Sequence, residues 1–261
     1  MPRFSINISV LFGECPFLER FAAAREAGFE YVEYMFPYEH PAQTLRDLLE
    51  QNGLKQVLFN LSAGDWGAGD RGVAADPNRI TEFRQGVDRA LEYADVLGVK
   101  RINCLVGKCV DGTSCEEQWQ VLVQNLAFAA GRLAEVNRML LVEPINTYDI
   151  PGFFLSTSRE ALKLLDEVAA DNLMLQYDVY HMQKMEGNLT DTIRGNLERI
   201  GHIQIADVPG RHQPGTGELN YRFLLEEIDR MGYNGFVGLE YIPEPDTVSS
   251  LGWVQELDFA L

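Results

Sequence analysis

The sequence predicts an α/β fold, a (β/α)8 TIM barrel formed as a single domain over residues 1–261, and three observations predict it. Hydrophobic runs of strand length alternate eight times with longer amphipathic stretches, from one end of the chain to the other. The length of 261 residues matches the roughly 250 that such a barrel consumes, and no linker or shift in composition divides the chain. Neither GxGxxG nor the GxxxxGKS/T phosphate loop occurs, and the first strand runs instead into LFGECP, which argues against an open, doubly wound sheet.

The strand candidates are, in order, FSINISVL, YVEYMF, QVLFNL, KRINCLVG, MLLVEPI, LMLQYDVY, HIQIAD and FVGLEYI. None alternates strictly between apolar and polar, as expected of parallel strands covered on both faces. Between them PFLERFAAAREAG, TLRDLLEQNG, RITEFRQGVDRALEYADVLG, EEQWQVLVQNLAFAAGRLAEV, TSREALKLLDEVAA and YRFLLEEIDRMG carry apolar residues at helical period. A glycine just past a helix recurs in AGFEYVE, NGLKQV, LGVKRIN and MGYNGFVGLE, marking helix-to-strand turns on the barrel's amino-terminal face. After the third strand, SAGDWGAGDRG (Ser62 to Gly72) is long and glycine-rich and carries Trp66, a ring able to cover a small ligand.

With 46% hydrophobic and 23% charged residues, the composition is that of an ordinary globular protein with a substantial core. No apolar run approaches the roughly 18 residues of a membrane span, and MPRFSINISVLFGECP reads as a first strand rather than a signal peptide. The net charge of −17 repels phosphate backbones and anionic membranes, so neither nucleic acid nor a membrane is an expected partner. Cys15, Cys104, Cys109 and Cys115 form no CxxC pair and no disulfide framework; they read as buried or neutral thiols in a reducing cytoplasm. The exposed helices of a barrel would allow a homo-oligomer.

Four apolar runs in the second half end in side-chain oxygen ligands: LLVEPIN with Glu143, LQYDVYH with Asp178, HIQIAD with Gln204 and VGLEYI with Glu240. The separations (178 − 143 = 35, 204 − 178 = 26, 240 − 204 = 36) are close to the roughly 30 residues that a strand, helix and return strand consume. Right-handed βα crossovers point every strand's carboxyl end to one face, so the four would meet there. Three carboxylates and an amide in one place call for a cation, and hard oxygen donors favour Mg2+ or Mn2+ over zinc. His202, two residues before Gln204, shares its strand face and is the rival for the third ligand position.

Other candidates surround that rim. His181, three residues past Asp178, should reach the pocket mouth and donate to a substrate carboxylate or oxyanion. Arg211, in GRHQPGTGELNY, is the natural counter-ion for an anionic substrate because its planar fork pairs a carboxylate bidentately, and Lys108 at the end of INCLVGK is a second. His40 reads as a surface residue, and Glu218 as rim or cap.

At these residues the chain resembles the hydroxypyruvate isomerase family, within the xylose-isomerase-like barrel superfamily. The resemblance runs through FSINISVLFGE, AGDWGAGDRG, INCLVGK, EPIN with DIPGF, LQYDVYHMQ, QIADVPGRHQPGTGELNY and GLEY, from Phe4 to about Pro243. It implies metal ligation by Glu143, Asp178, Gln204 and Glu240, proton transfer by Glu143 and Glu240, and substrate contacts from His181 and Arg211. The implied reaction interconverts hydroxypyruvate and tartronate semialdehyde through an enediolate, in the manner of an aldose–ketose isomerase. Related sugar epimerases place a histidine where Gln204 stands. The alternatives are a 2-oxo-tetronate isomerase or ketose epimerase of the same superfamily, a metal-dependent endonuclease, and a non-catalytic sugar-acid binder.

Overall fold

The computed structural model describes residues 2–259. Its strands are short: β1 (Arg3–Asn7), β2 (Tyr31–Glu33), β3 (Lys55–Gln56), β4 (Leu58–Asn60), β5 (Arg101–Cys104), β6 (Met139–Val142), β7 (Leu173–Asp178), β8 (Ile200–Ile205) and β9 (Phe236–Leu239). They hydrogen-bond in the order β3-β2-β1-β9-β8-β7-β6-β5-β4, every pair parallel. β3 and β4 are two halves of the third predicted strand, parted at Val57, whose N–H donates to Val32 O at 2.8 Å. One half pairs with β2 and the other with β5, so the two ends of the sheet are one stretch of chain and the eight-stranded ring closes through it.

Helices α1 (Arg20–Glu26), α2 (Ala42–Gln51), α3 (Ile80–Leu97), α4 (Cys115–Ala134) and α5 (Ser158–Val168) follow their strands as the periodicity predicts. In α3 the buried residues Phe83, Val87, Ala90, Ala94 and Leu97 recur every three or four positions, one stripe against the sheet. Thr157 and Glu160 form a capping box that starts α5. The four helix-to-strand glycines, Gly28, Gly53, Gly98 and Gly232, all have positive φ (98°, 63°, 70° and 79°).

Beyond β7 the chain departs from the sequence reading. Val179 and Tyr180, assigned to a strand for their branched and aromatic side chains, open α6 (Val179–Met185), and α7 (Leu189–Asn196) follows before β8. The reason is local: the Asp178 carboxylate accepts from the N–H groups of Tyr180 (2.8 Å) and His181 (3.3 Å), an N-cap that turns the chain into a helix. α8 (Tyr221–Arg230) matches expectation, whereas α9 (Thr247–Ser250) and α10 (Gly252–Glu256) were not foreseen; they bring Trp253 edge-on to Phe4, centroids 5.7 Å apart.

Inside the barrel, Val57, Leu58, Leu141 and Phe236 form a small apolar cluster of their own near the strand starts. Further along, the inward positions turn polar: Ser5, Asn7, Glu33, Asn103, Gln176, His202 and Gln204 are all buried. Burying such groups is costly unless they pair with one another, which directs attention to the carboxyl ends of the strands.

Candidate metal and substrate site

A cavity of about 270 Å³ opens at that end, with Glu143, His181, Gln204, Arg211 and Glu240 in its lining. A larger cleft of about 640 Å³, around Arg3, Lys55 and Arg101, lies at the opposite face, away from these groups. The strand register explains the convergence: Asp178 aligns with Gln204 across β7 and β8, and Gln204 with Gly238 across β8 and β9, two residues before Glu240.

Three of the four predicted oxygen ligands, Glu143, Gln204 and Glu240, form one hydrogen-bonded network. Gln176 Nε2 bridges Glu143 Oε2 (3.0 Å) and Gln204 Oε1 (2.6 Å), while Gln204 Nε2 donates to Glu240 Oε2 (2.5 Å) and Glu33 Oε1 (2.8 Å). Asn103 and Asn7 donate to Glu143 and Glu240 at 2.9 and 2.8 Å. Arg211, held at φ +58°, places Nη2 2.7 Å from Glu240 Oε1 and 3.7 Å from Asp178 Oδ2.

Burial, with the charges of Glu240 and Asp178, pushes the Glu143 carboxyl well above the usual range. Burial likewise lifts Glu240 to about 7, Asp178 and Glu33 adding to the push while Arg211 and Asn7 oppose it. Such crowding of acids is what a cation relieves. Asp178 Oδ2 is fully buried and has no hydrogen-bond partner among the described residues, and ligand atoms of Glu143, Asp178 and His181 lie within 4.8 Å of one another. The two carboxylates of that group fit a divalent cation, and Glu240 stands outside it.

His181 reaches the cluster on α6, but its neighbours fix its tautomer. Asn146 Oδ1 accepts from the N–H groups of Tyr148 (3.1 Å) and Asp149 (2.9 Å), so its amide nitrogen faces His181 Nδ1, at 2.7 Å. Burial holds the imidazole down at about 4, hence neutral near pH 7. With Nδ1 accepting, Nε2 carries the proton and is a donor, 3.6 Å from Asp178 Oδ2. His202 lies deeper, fully buried, its Nε2 2.9 Å from Glu33 Oε2, and stands outside the cluster.

Trp66 joins the cavity lining: it is 38% exposed, its ring lies 5.2 Å from that of Phe36, and the Arg71 guanidinium sits 3.9 Å from its centroid. The root of its loop is clasped backbone to backbone. Gly72 (φ +112°) bridges Val106, its N–H donates to Ala63 O at 3.0 Å, and a Cβ there would stand 2.0 Å from Leu105 O. Lys108 does not join the cavity: its bridge to Phe153 turns it away, and Nζ donates to Gly69 O at 3.1 Å. Glu218 accepts from Gln183 at the exposed rim. Of the cysteines read as buried or neutral thiols, Cys104 is buried, Cys109 and Cys115 are exposed, and all four are free.

Sequence reasoning missed Glu33. It is fully buried, accepts from Ser5 Oγ at 2.7 Å, and is held below the ordinary carboxylate range: burial raises it, and the nearby His202 with hydrogen bonds from Ser5 and Gln204 outweighs that. The signal available was an acid set inside an otherwise apolar strand.

Fold and site together define a TIM barrel with a polar, acid-rich cavity at its strand ends. A profile of xylose isomerase-like TIM barrels matches residues 21–257. Hydroxypyruvate isomerase of Escherichia coli is 52% identical over 97% of this chain and 98% of its own length; 2-oxo-tetronate isomerase of Cupriavidus necator is 47% identical over 98% of each. A crystal structure from Brucella melitensis, described as an AP endonuclease of family 2, superposes with a TM-score of 0.95 at 43% identity, covering 98% of this chain and 99% of that one. The chain belongs to the xylose isomerase-like TIM barrel family, and within it to the ketol isomerases.

Proposed function

We propose that this isomerase interconverts hydroxypyruvate and tartronate semialdehyde and depends on Mg2+ or Mn2+ held by Glu143, Asp178, Gln204 and Glu240. The observation that carries the reading is Arg211, a cation on the cavity wall beside two carboxylates, positioned to pair with a substrate carboxylate. The bound cation would polarise the C2 carbonyl and offset the negative charge of the enediolate.

The protein's own groups do the rest. Arg211 anchors the carboxylate, and the Nε2–H of His181 donates to a substrate oxygen. Glu143 and Glu240, on β6 and β9 strand ends with β7 and β8 between them, divide the proton work. One takes a proton from C3, and the other returns one to C2, while the hydroxyl proton passes from O3 to O2. Acid–base catalysis of this kind contributes about 10² to 10⁴-fold. Trp66 excludes water from the covered cavity.

A 2-oxo-tetronate, one carbon longer, is the second reading, supported by the 47% identical relative and by a cavity of about 270 Å³. A nuclease reading is disfavoured, since a net charge of −17 repels a phosphate backbone. The test is turnover of both keto acids in D2O, before and after chelation and with Mn2+ restored. Loss on chelation, recovery with Mn2+ and deuterium at C2 of the product are expected. Full activity after chelation would overturn the metal dependence, and strict retention of the substrate hydrogen would replace proton transfer by a hydride shift.

A further inference from the structure

The Gln204 amide raises a problem that a histidine ligand would not. Its two ends have nearly the same shape, yet only the carbonyl oxygen can bind a cation, and the NH2 end would repel one. Something must decide which end faces the metal position.

Glu33 stands where that decision is made. Its Oε1 accepts the Gln204 Nε2–H at 2.8 Å, sharing that nitrogen with Glu240 Oε2 at 2.5 Å, while Gln204 Oε1 points to Gln176 Nε2, itself bonded to Glu143. The carboxylate is in turn built in. Ser5 Oγ donates to Oε2 at 2.7 Å, His202 Nε2 stands 2.9 Å from the same oxygen, and the whole side chain is buried. Across β1, β9 and β8 the register aligns Ser5, Gly238 and Gln204. At Gly238 a Cβ would lie 2.5 Å from Glu33 Oε1, so the missing side chain is the space the carboxylate fills.

We propose that Glu33 is a positioning residue that takes the NH2 end of the Gln204 amide and so turns its carbonyl oxygen toward the metal. This rests on the reading of Gln204 as a ligand. The partner atoms behind a metal's ligands orient them, and losing one typically lowers metal affinity by about 10- to 100-fold. An acceptor-only carboxylate does this for an amide where a neutral Gln, with an acceptor and a donor end of its own, would permit either orientation.

The test is a double-mutant cycle read by Mn2+ calorimetry and electron paramagnetic resonance, independent of turnover. Glu33→Gln should weaken Mn2+ binding by about 10- to 100-fold. In a Gln204→Ala background the same change should have almost no further effect, because the group it acts through is gone. A loss that persists undiminished in that background overturns the proposal, since Glu33 would then act by its charge alone; so does an unchanged affinity in Glu33→Gln. If Gln204→Ala itself leaves Mn2+ affinity unaltered, the ligand reading fails first, and visibly so. Should Glu33→Gln not fold, Gly238→Ala displaces the carboxylate without removing it, and it must lower Mn2+ affinity for the proposal to stand.

Discussion

Replacing Gly238 by alanine is a small change with a computable consequence. The new Cβ would lie 2.5 Å from Glu33 Oε1, 2.7 Å from Oε2 and 2.8 Å from Cδ, where ordinary contact begins near 3.4 Å. The shortfall of 3.4 − 2.5 = 0.9 Å must be absorbed by a side chain tied to Ser5, Gln204 and His202, not by a free end in solvent. Overpacking a core costs about 1–3 kcal/mol, and losing a hydrogen bond to a charged group about 1.5–3, so about 2.5–6 kcal/mol is expected together. At about 2–4 °C per kcal/mol for a chain of this size, the melting temperature falls by at least about 5 °C. Differential scanning calorimetry measures this directly, and a second scan with Mn2+ should show a smaller metal-induced rise than in the parent. A melt within about 1 °C of the parent would mean that the carboxylate has room to move and that the cradle has no mechanical meaning.

Arg211→Met should weaken hydroxypyruvate far more than a neutral hydroxyketone of equal length used as a competitive inhibitor, because truncating a buried charged partner costs about 2–5 kcal/mol, or about 30-fold and upward. Equal losses for the two would remove Arg211 from carboxylate recognition. Asp149 sets an acid-side dependence: partial burial pushes its carboxyl up, but hydrogen bonds from Asn146, Lys184 and Tyr180 and the Lys184 charge hold it at about 2 against an ordinary 3.8. A folded value below the unfolded one means stability present above 3.8 and lost as the pH falls toward about 2. The difference in urea midpoint between the parent and Asp149→Asn should therefore shrink over that interval, and a constant difference would contradict the assignment.

The four residues proposed as oxygen ligands were legible as neighbours because each closes an apolar strand, and parallel strands in a barrel deliver their ends to one rim whatever the details of packing. His181 and Arg211 were legible for the same reason, being a few residues past those ends. Glu33 was hidden because its partners, Ser5, His202 and Gln204, come from strands far away in sequence, and only closure of the ring brings them together. The helix after Asp178 was misread since Val179 and Tyr180 favour strands by composition, and a single side-chain cap overrode that preference. Lys108 shows the converse: it follows a strand as an active-site residue would, yet a bridge to Phe153 sends it to the outside of the Trp66 loop.

The glycine clasp beneath Trp66 bears on how much a ligand must spend in ordering its own cover. With Gly72 locked against Leu105 and Val106 and the ring already seated on Phe36, the loop is closed at its neck before anything enters. Little conformational entropy is left to lose at that stage, so the affinity for a small, weakly anchored molecule is not drained by folding a disordered flap over it.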